Sequence, residues 1–488
     1  MLSLGTLRAM WALGLGLALY ALHARRNRSK LPLPPGPKKL PLVGNLFQIP
    51  LFHPWETYMA WRKEFNSDII HLDVAGKSLV ILSSIKATET LLEKRSSIYS
   101  DRARVPMVGE LMGWDFNVAM MKYGDEWRAN RRLFNQGFTA KASMKYQPKQ
   151  VTATHHLLQR FVESPDEFMT HFRQWAGEII MSIAYGIDVL PANDPYVALA
   201  NEAVHTLSNA GVPGKYLVDS LPILKYVPAW FPGAGFKRDA IAWRKLARAM
   251  RDVPFAETKR QMELGIAPPS FAAESLAALK ESENSFYTEA TVQSTTGTMY
   301  TGGADTSVSA LNTFDENALP HVAAVVKETL RWKNVGPIAV PHYLGVEDEY
   351  KGYRIPAGSV VVGNTWAIMH DEVTYPDPYA FKPERFLLNG RLNPAVQDPD
   401  AAFGFGRRLC PGRHMATAAL WITVASVLAT FDITKPLDEN GREIEPSYEF
   451  DSGFINSPLP FKACIRLRSQ QALTLIQASG NVHDQDDA

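Results

Sequence analysis

Residues 403–412 read Phe403-Gly404-Phe405-Gly406-Arg407-Arg408-Leu409-Cys410-Pro411-Gly412, and an apolar helical pattern opens at Ala416. The glycines let a backbone turn tightly against a flat ligand, and proline suits the first turn of a helix, where its missing N–H has no partner to lose. Cys410 therefore stands at a helix N-terminus, where orphan N–H groups and the helix dipole favour a thiolate. A cysteine is more often a small buried hydrophobe than a ligand. Around Cys410 the loop instead reads as one built to present sulfur to a metal. Cys464 is the only other cysteine. Two are too few for a disulfide framework, which suits a chain folded in reducing cytosol, and no bridge between them is expected.

The chain has 488 residues, 46% hydrophobic and 21% charged, enough to bury a large core in one big domain or two smaller ones. Its 51 Lys+Arg against 50 Asp+Glu give a net charge of +1. That near-balance removes the global field that a nucleic-acid or polyanion partner would need.

Residues 1–22 are apolar except for Arg8, and a basic cluster, His23 to Lys30, follows directly. Charges after an apolar run act as a stop, so residues 1–24 are expected to be a transmembrane signal anchor, with the rest of the chain in the cytosol. Arg8 costs about 3 kcal/mol in hydrocarbon, less if it snorkels to the surface. Residues 25–46 contain Leu31-Pro32-Leu33-Pro34-Pro35-Gly36-Pro37, whose fixed φ angles forbid helix and predict a stiff, extended hinge. Residues 476–488 are polar and acidic and are expected to be a disordered tail.

Between the ends, helical periodicity runs through 60–65, 87–95, 124–135, 167–185, 240–262 and 416–430. Strands are few: 69–74 and 78–82 read as a hairpin around Gly76-Lys77, and 353–355 with 359–362 as a strand pair about Pro356-Ala357-Gly358. The expectation for 47–475 is a mostly α catalytic domain with small β-sheets.

Other patterns carry chemistry. Glu328 and Arg331, in Glu328-Thr329-Leu330-Arg331, share one face of a helical segment and can pair. Alone they would be an ordinary surface ion pair. Trp127 and Arg131 are four apart and share a face. Thr301-Gly302-Gly303-Ala304-Asp305-Thr306 lies in a helical stretch, 290–311, where two glycines cost about 1 kcal/mol each against alanine. That cost points to close approach of a flat or small ligand, and an acid followed by an alcohol can relay protons.

Together the ten residues from Phe403 form F-x-x-G-x-R-x-C-x-G, and the chain resembles the cytochrome P450 family from its anchor to the 454–460 turn. Segments 91–95 and 226–233 are similar to fungal microsomal members of secondary metabolism. The resemblance implies a cytochrome P450 fold and heme b with Cys410 as axial thiolate, Phe403 and Gly406 contributing to the heme loop. It implies Trp127, Arg131, His342 and Arg408 as partners of the heme propionates. Arg385, in Pro383-Glu384-Arg385-Phe386, would join Glu328 and Arg331 in a structural network. Asp305 and Thr306 would be catalytic, delivering protons to bound dioxygen. An NADPH-cytochrome P450 reductase would supply electrons at the endoplasmic reticulum membrane, and a small apolar, aromatic or terpenoid molecule would be hydroxylated or oxidised. By position the substrate walls are 105–120, 299–303, 335–340 and 453–457, whose only acids are Glu110 and Asp115.

One feature departs from the family pattern. Asp305 and Glu328 are only 23 positions apart, and just 313–317 separate the two helical segments. The family places further helices there, so roughly thirty residues, about two average helices and a turn, are missing by comparison. Five extended residues reach only about 17 Å. Two explanations stand: a naturally shortened enzyme, or a chain joined across a lost exon, which would leave a catalytically defective, membrane-anchored heme-binding protein.

Overall fold

A computed structural model describes residues 31–41, 43–212, 214–281, 285–306 and 319–481. The expected anchor at 1–24, the link at 312–317 and residues 482–488 lie outside the described residues. The helices are α1 (Pro54–Glu64), α2 (Asp125–Phe138), α3 (Gln147–Glu163), α4 (Phe168–Tyr185), α5 (Pro195–Ala210), α6 (Gly235–Glu263), α7 (Phe271–Glu281), α8 (Glu289–Thr306), α9 (Pro320–Trp332), α10 (Arg413–Thr430) and α11 (Gln470–Asn481), with shorter turns between them; α3, α5, α7 and α11 lie outside the stretches of helical periodicity read from the sequence, and 87–95 falls in two short elements, Ile85–Thr88 and Glu89–Lys94. Among the described residues no helix is long and apolar enough to cross a membrane.

Helix α8 is the axis of the body, packed by α2, α4, α5, α6 and α7. It has no apolar stripe, and small residues make its burial possible. A Cβ at Gly297 would lie 2.9 Å from the Phe116 ring, and one at Gly303 would lie 2.5 Å from Ile180 Cγ1. The buried hydroxyls of Thr296 and Thr301 donate to carbonyls one turn back, Val292 O at 3.0 Å and Gly297 O at 2.7 Å, so neither is stranded in the core.

The main sheet collects β1 (Ile69–Val74), β2 (Lys77–Leu82), β3 (Asp101–Arg102), β4 (His342–Leu344) and, after the pair β5 (Asp348–Tyr350) and β6 (Tyr353–Ile355), β7 (Ser359–Gly363); its order is β1-β2-β7-β4-β3. The hairpin expected at 69–82 forms, Ile69 facing Leu82 and Val74 facing Lys77, with Ala75 and Gly76 at positive φ in a two-residue turn. The pairing expected between 353–355 and 359–362 does not form. Lys351 and Gly352, both at positive φ, fold β6 back onto β5, while β7 inserts between β2, parallel, and β4, antiparallel. Pro356 is where the chain changes sheets, and the Val360-Val361-Val362 run fits an interior strand with neighbours on both edges.

Two further boundaries differ from expectation. The proline-rich stretch is docked on the body and is not a free hinge. Pro35 O accepts from His71 N (2.9 Å), Pro32 O accepts from Arg354 N (2.8 Å), and Gly36 has His71 O 2.2 Å from where a Cβ would sit. At the other end α11 carries the chain in helix past 476, because Ala472 is buried and Ile476 packs into the helical core. The helical core around α4 and α8 and the sheet core around Val80 and Val361 are separate clusters. The cysteine loop lies between them.

Candidate active site

The loop after the short turn Asp400–Phe403 is shaped by its own backbone. Cys410 N donates to Phe403 O (2.9 Å), Leu409 N to Gly406 O (3.1 Å) and Arg408 N to Phe405 O (3.2 Å). Gly404 and Gly406 are both at positive φ. Gly406 was expected to meet the flat ligand; instead its missing Cβ faces protein, Leu92 O being 2.1 Å from where that atom would be. It is therefore a packing glycine that lets the loop lie against residues 92 and 93. Gly404 and Gly412 are the glycines of the loop that line the cavity.

That cavity, of about 400 Å³, is lined by Cys410, Phe403, Arg408, Trp127, Arg131 and His342 among others, so the structure brings together six of the residues singled out in the sequence. Burial pushes the Cys410 thiol up. The N–H groups of Gly412 and Arg413 and the cations of Arg131 and Arg413 oppose the shift without cancelling it. The helix N-terminus expected to make a thiolate is thus in place, but burial outweighs it. A bound metal cation would deprotonate such a thiol outright.

The cations are held by carbonyls. Arg408 donates to Ser100 O (2.7 Å), Val118 O (3.2 Å) and Met121 O (2.8 Å), and lies over the Trp127 ring at 4.4 Å. Arg131 donates to Leu409 O at 2.6 Å. Arg102, which the sequence analysis missed, is buried in the same wall and donates to Ala119 O (2.8 Å), Val340 O (2.7 Å) and Pro341 O (3.1 Å). No motif flags Arg102; only the pairing of β3 with β4, which sets it opposite His342, brings it to the site.

Burial depresses all three guanidiniums, Arg408 to about 10. Among the described residues none of them is in an ion pair with a carboxylate. Nearby Asp101 accepts instead from the backbone N–H groups of Arg102 and Tyr123, both at 2.8 Å. Each guanidinium has five N–H donors, so Arg102 and Arg408 retain about two apiece after their carbonyls. Three cations, Arg102 buried and Arg131 and Arg408 half-buried, without a carboxylate form an incomplete pocket, and the two propionates of heme b are the chemistry it calls for.

His342 lines the cavity. Its Nδ1 donates to Tyr99 O (2.8 Å). Burial and the cations of Arg102 and Arg408 lower its pKa well below the usual imidazole range, and a carboxylate brought beside it would oppose that shift.

Glu328, Arg331 and Arg385 form a separate cluster away from the cavity. Glu328 accepts from Arg331 Nε (2.7 Å) and Nη2 (2.8 Å), from Arg385 Nε (3.1 Å) and from Lys382 N (2.7 Å). Arg331 also donates to Met369 O and Pro378 O, so α9 is tied to the 369–385 segment. Glu328 and Arg331 are both 0% exposed, which rules out a surface pair. Asp305 and Thr306 lie on the last turn of α8, and their side chains are outside the described residues. Met299, Gly302 and Gly303 of the same helix line the cavity. A Cβ at Gly302 would meet nothing within 4 Å.

Of the substrate walls expected by position, Asn117 to Met120, Val335 to Val340, Phe454 and Ile455 reach the cavity, and 105–116 do not. Glu110 is paired with Arg104 and Lys225, and Asp115 with Arg248.

The sequence model of the Cytochrome P450 family matches residues 34–314 and 313–465, two stretches that meet at the short link. Cytochrome P450 monooxygenase 98 of Postia placenta is 41% identical over 94% of each chain, and cytochrome P450 monooxygenase ple1 of Rhodocybe pseudopiperita is 40% identical over 96% of this chain and 95% of its own. Tryptamine 4-monooxygenase of Psilocybe cyanescens is 37% identical over 94% and 97%. The Postia placenta alignment runs over 492 positions but takes up 94% of 488 residues, about 459, so about 33 positions stand opposite gaps in this chain. Members of the family bind heme b through a cysteine thiolate and work with a reductase partner on small molecules. The chain belongs to the cytochrome P450 family of monooxygenases.

Proposed function

We propose that the chain is a membrane-anchored enzyme that hydroxylates or oxidises a small neutral apolar, aromatic or terpenoid precursor of a secondary metabolite, using O2 and electrons passed from NADPH by a cytochrome P450 reductase. The observation that carries this reading is the division of one cavity into two chemistries. Cys410 and three arginines supply the ligand and the cations of its lining; Phe134, Leu207, Met299, Ile338 and Phe454 supply apolar wall. Among the described side chains, which do not include that of Asp305, no acid lines the cavity, and this favours a neutral substrate over a protonated amine such as the one named for the Psilocybe cyanescens relative.

Heme b, when bound, supplies oxygen activation, which a thiolate ligand favours by pushing electron density onto the iron. The chain's own residues supply the rest. Arg102, Arg131 and Arg408 hold the carboxylates, and Cys410 holds the iron. The apolar walls orient the substrate and exclude water, and Asp305 and Thr306 pass protons from solvent into the site. The Glu328, Arg331 and Arg385 cluster fixes the core beneath them.

The apolar run 1–24 with its basic flank supports placement in the endoplasmic reticulum membrane with the body in the cytosol. So does a bare apolar surface: Phe47, Phe52, Ile223, Tyr226 and Trp230 are each 70% or more exposed, and Ile49 lies against Gly214 where the two segments meet.

A second reading, a heme-binding protein without turnover, is favoured by the family match breaking at 313–314 and by the unmatched positions of the relatives. Expression with a reductase separates the two. A Soret band at the family's position in the reduced carbon monoxide complex, with NADPH-dependent oxygen consumption and a new hydroxylated metabolite, is expected. The band without oxygen consumption supports the second reading. No band, and its restoration when a relative's segment is inserted after residue 313, would sink the first.

A further inference from the structure

Five residues between the helices, Asn117 to Met121, form a turn in which every N–H has a partner and three carbonyls face guanidiniums. Asn117 N donates to Trp114 O (3.0 Å), Asn117 Oδ1 accepts from Ala119 N (3.0 Å), and Asn117 O accepts from Met120 N (2.9 Å) and Met121 N (3.1 Å). The remaining N–H, that of Val118, donates out of the turn to Thr298 Oγ1 on α8, at 3.0 Å. The Thr298 hydroxyl has one proton, and it is given to Ser294 O at 2.8 Å. Its lone pairs are thereby turned toward Val118, so donor and acceptor roles are fixed. From the far side of the turn Val118 O and Met121 O accept from Arg408, and Ala119 O accepts from Arg102.

We infer that Thr298 is a positioning residue for the cofactor's carboxylates: by pinning Val118 it sets the carbonyls that aim Arg408 and Arg102 into the cavity. The assignment rests on the reading of this cavity as the heme site. It also means that α8, which carries Asp305 and Thr306 two turns further on, is tied to the turn behind Arg102 and Arg408, just as Thr295 Oγ1 ties it to Asn130 Oδ1 (2.9 Å) on α2 beside Arg131. A guanidinium held by three carbonyls can point its remaining donors in only one direction. If the turn shifts, both arginines lose their aim together, although neither touches Thr298.

The test uses the full-length chain in detergent, loaded with heme b, and reads transfer of heme to excess apomyoglobin. Thr298→Val keeps the shape and removes the acceptor; Thr298→Ser keeps the hydroxyl. Loss of one buried hydrogen bond predicts release about tenfold faster for the valine variant, with the serine variant near the wild-type rate. In an Arg408→Lys background, whose side chain cannot grip the same carbonyls, the valine substitution should add less than in wild type, because only Arg102, through Ala119 O, still depends on the turn. Equal release rates for Thr298→Val and wild type, or an undiminished effect in the Arg408→Lys background, overturn the assignment. A wild-type chain that takes up no heme overturns the site reading itself, and this assignment with it. Should Thr298→Val not fold, deuterium exchange at the Val118 amide of the wild-type holoprotein gives the answer without a substitution. Strong protection is expected, and exchange at the rate of an open loop refutes the pinning.

Discussion

Gly303 of α8 and Ile180 of α4 are in such close contact that a Cβ on the glycine would fall 2.5 Å from Ile180 Cγ1, while a Cβ on the adjacent Gly302 would meet nothing within 4 Å. Neighbouring glycines with one appearance in sequence thus have two tasks. Gly303→Ala should destabilise by about 1–3 kcal/mol through overpacking, against which a helix-propensity gain of about 1 kcal/mol is the only offset. Gly302→Ala should fold at least as well as wild type while narrowing the cavity. Urea unfolding reads the first effect, and weakened carbon monoxide or substrate binding reads the second.

Glu328 accepts from two arginines with no water to replace it. Glu328→Gln leaves both guanidiniums short of their counter-charge, and breaking a buried pair from one side costs about 3–5 kcal/mol. The expected result is little soluble, heme-loaded protein and a lowered unfolding midpoint. A midpoint unchanged from wild type would refute the structural role.

Arg102 has no motif to recommend it, yet it shares the cation wall with Arg131 and Arg408. Arg102→Gln should reduce heme retention by about tenfold or more, since charge-assisted hydrogen bonds are worth about 1.5–3 kcal/mol. Heme content after gel filtration, measured against total protein, checks it.

Acid should destabilise the fold through buried histidines. Burial lowers His71 to about 4 and His370, stacked on Trp366 with ring centroids 3.8 Å apart, to about 3. Below the unfolded imidazole value of about 6.5 the unfolded chain takes up protons that the folded chain refuses, and stability falls by about 1.4 kcal/mol per pH unit for each histidine. The loss continues as pH falls toward their folded values. Asp219, raised to about 6 by burial, acts in the opposite sense: between about 6 and 4 the folded chain takes up its proton first. His370→Gln should therefore flatten the slope of unfolding free energy between pH 6.5 and 5 by about one histidine's share, a change urea titrations at several pH values detect.

By itself the sequence determined the family, most of the helices and the Glu328–Arg331 pair, because each depends on residues close together in the chain. Phe403 to Gly412 is such a run, and the spacing of Glu328 and Arg331 needs only a helix. Whatever depended on distant segments was decided by tertiary structure. The partner of β7 was one, since Ser359–Gly363 pairs on one side with Lys77–Leu82, far away in the chain, and on the other with His342–Leu344. The docking of the proline segment on His71 and the helical extension to Asn481 were others, set by backbone acceptors and apolar surface that local composition does not reveal. The cavity shows the same division. Arg102 joins it only because β3 lies beside β4, Gly406 leaves it because Leu92 lies behind the loop, and His342 is oriented by Tyr99 O, from a segment 243 residues away. The cysteine could be named from ten residues; what surrounds it had to be assembled from segments more than three hundred residues apart, such as Ser100 and Arg408.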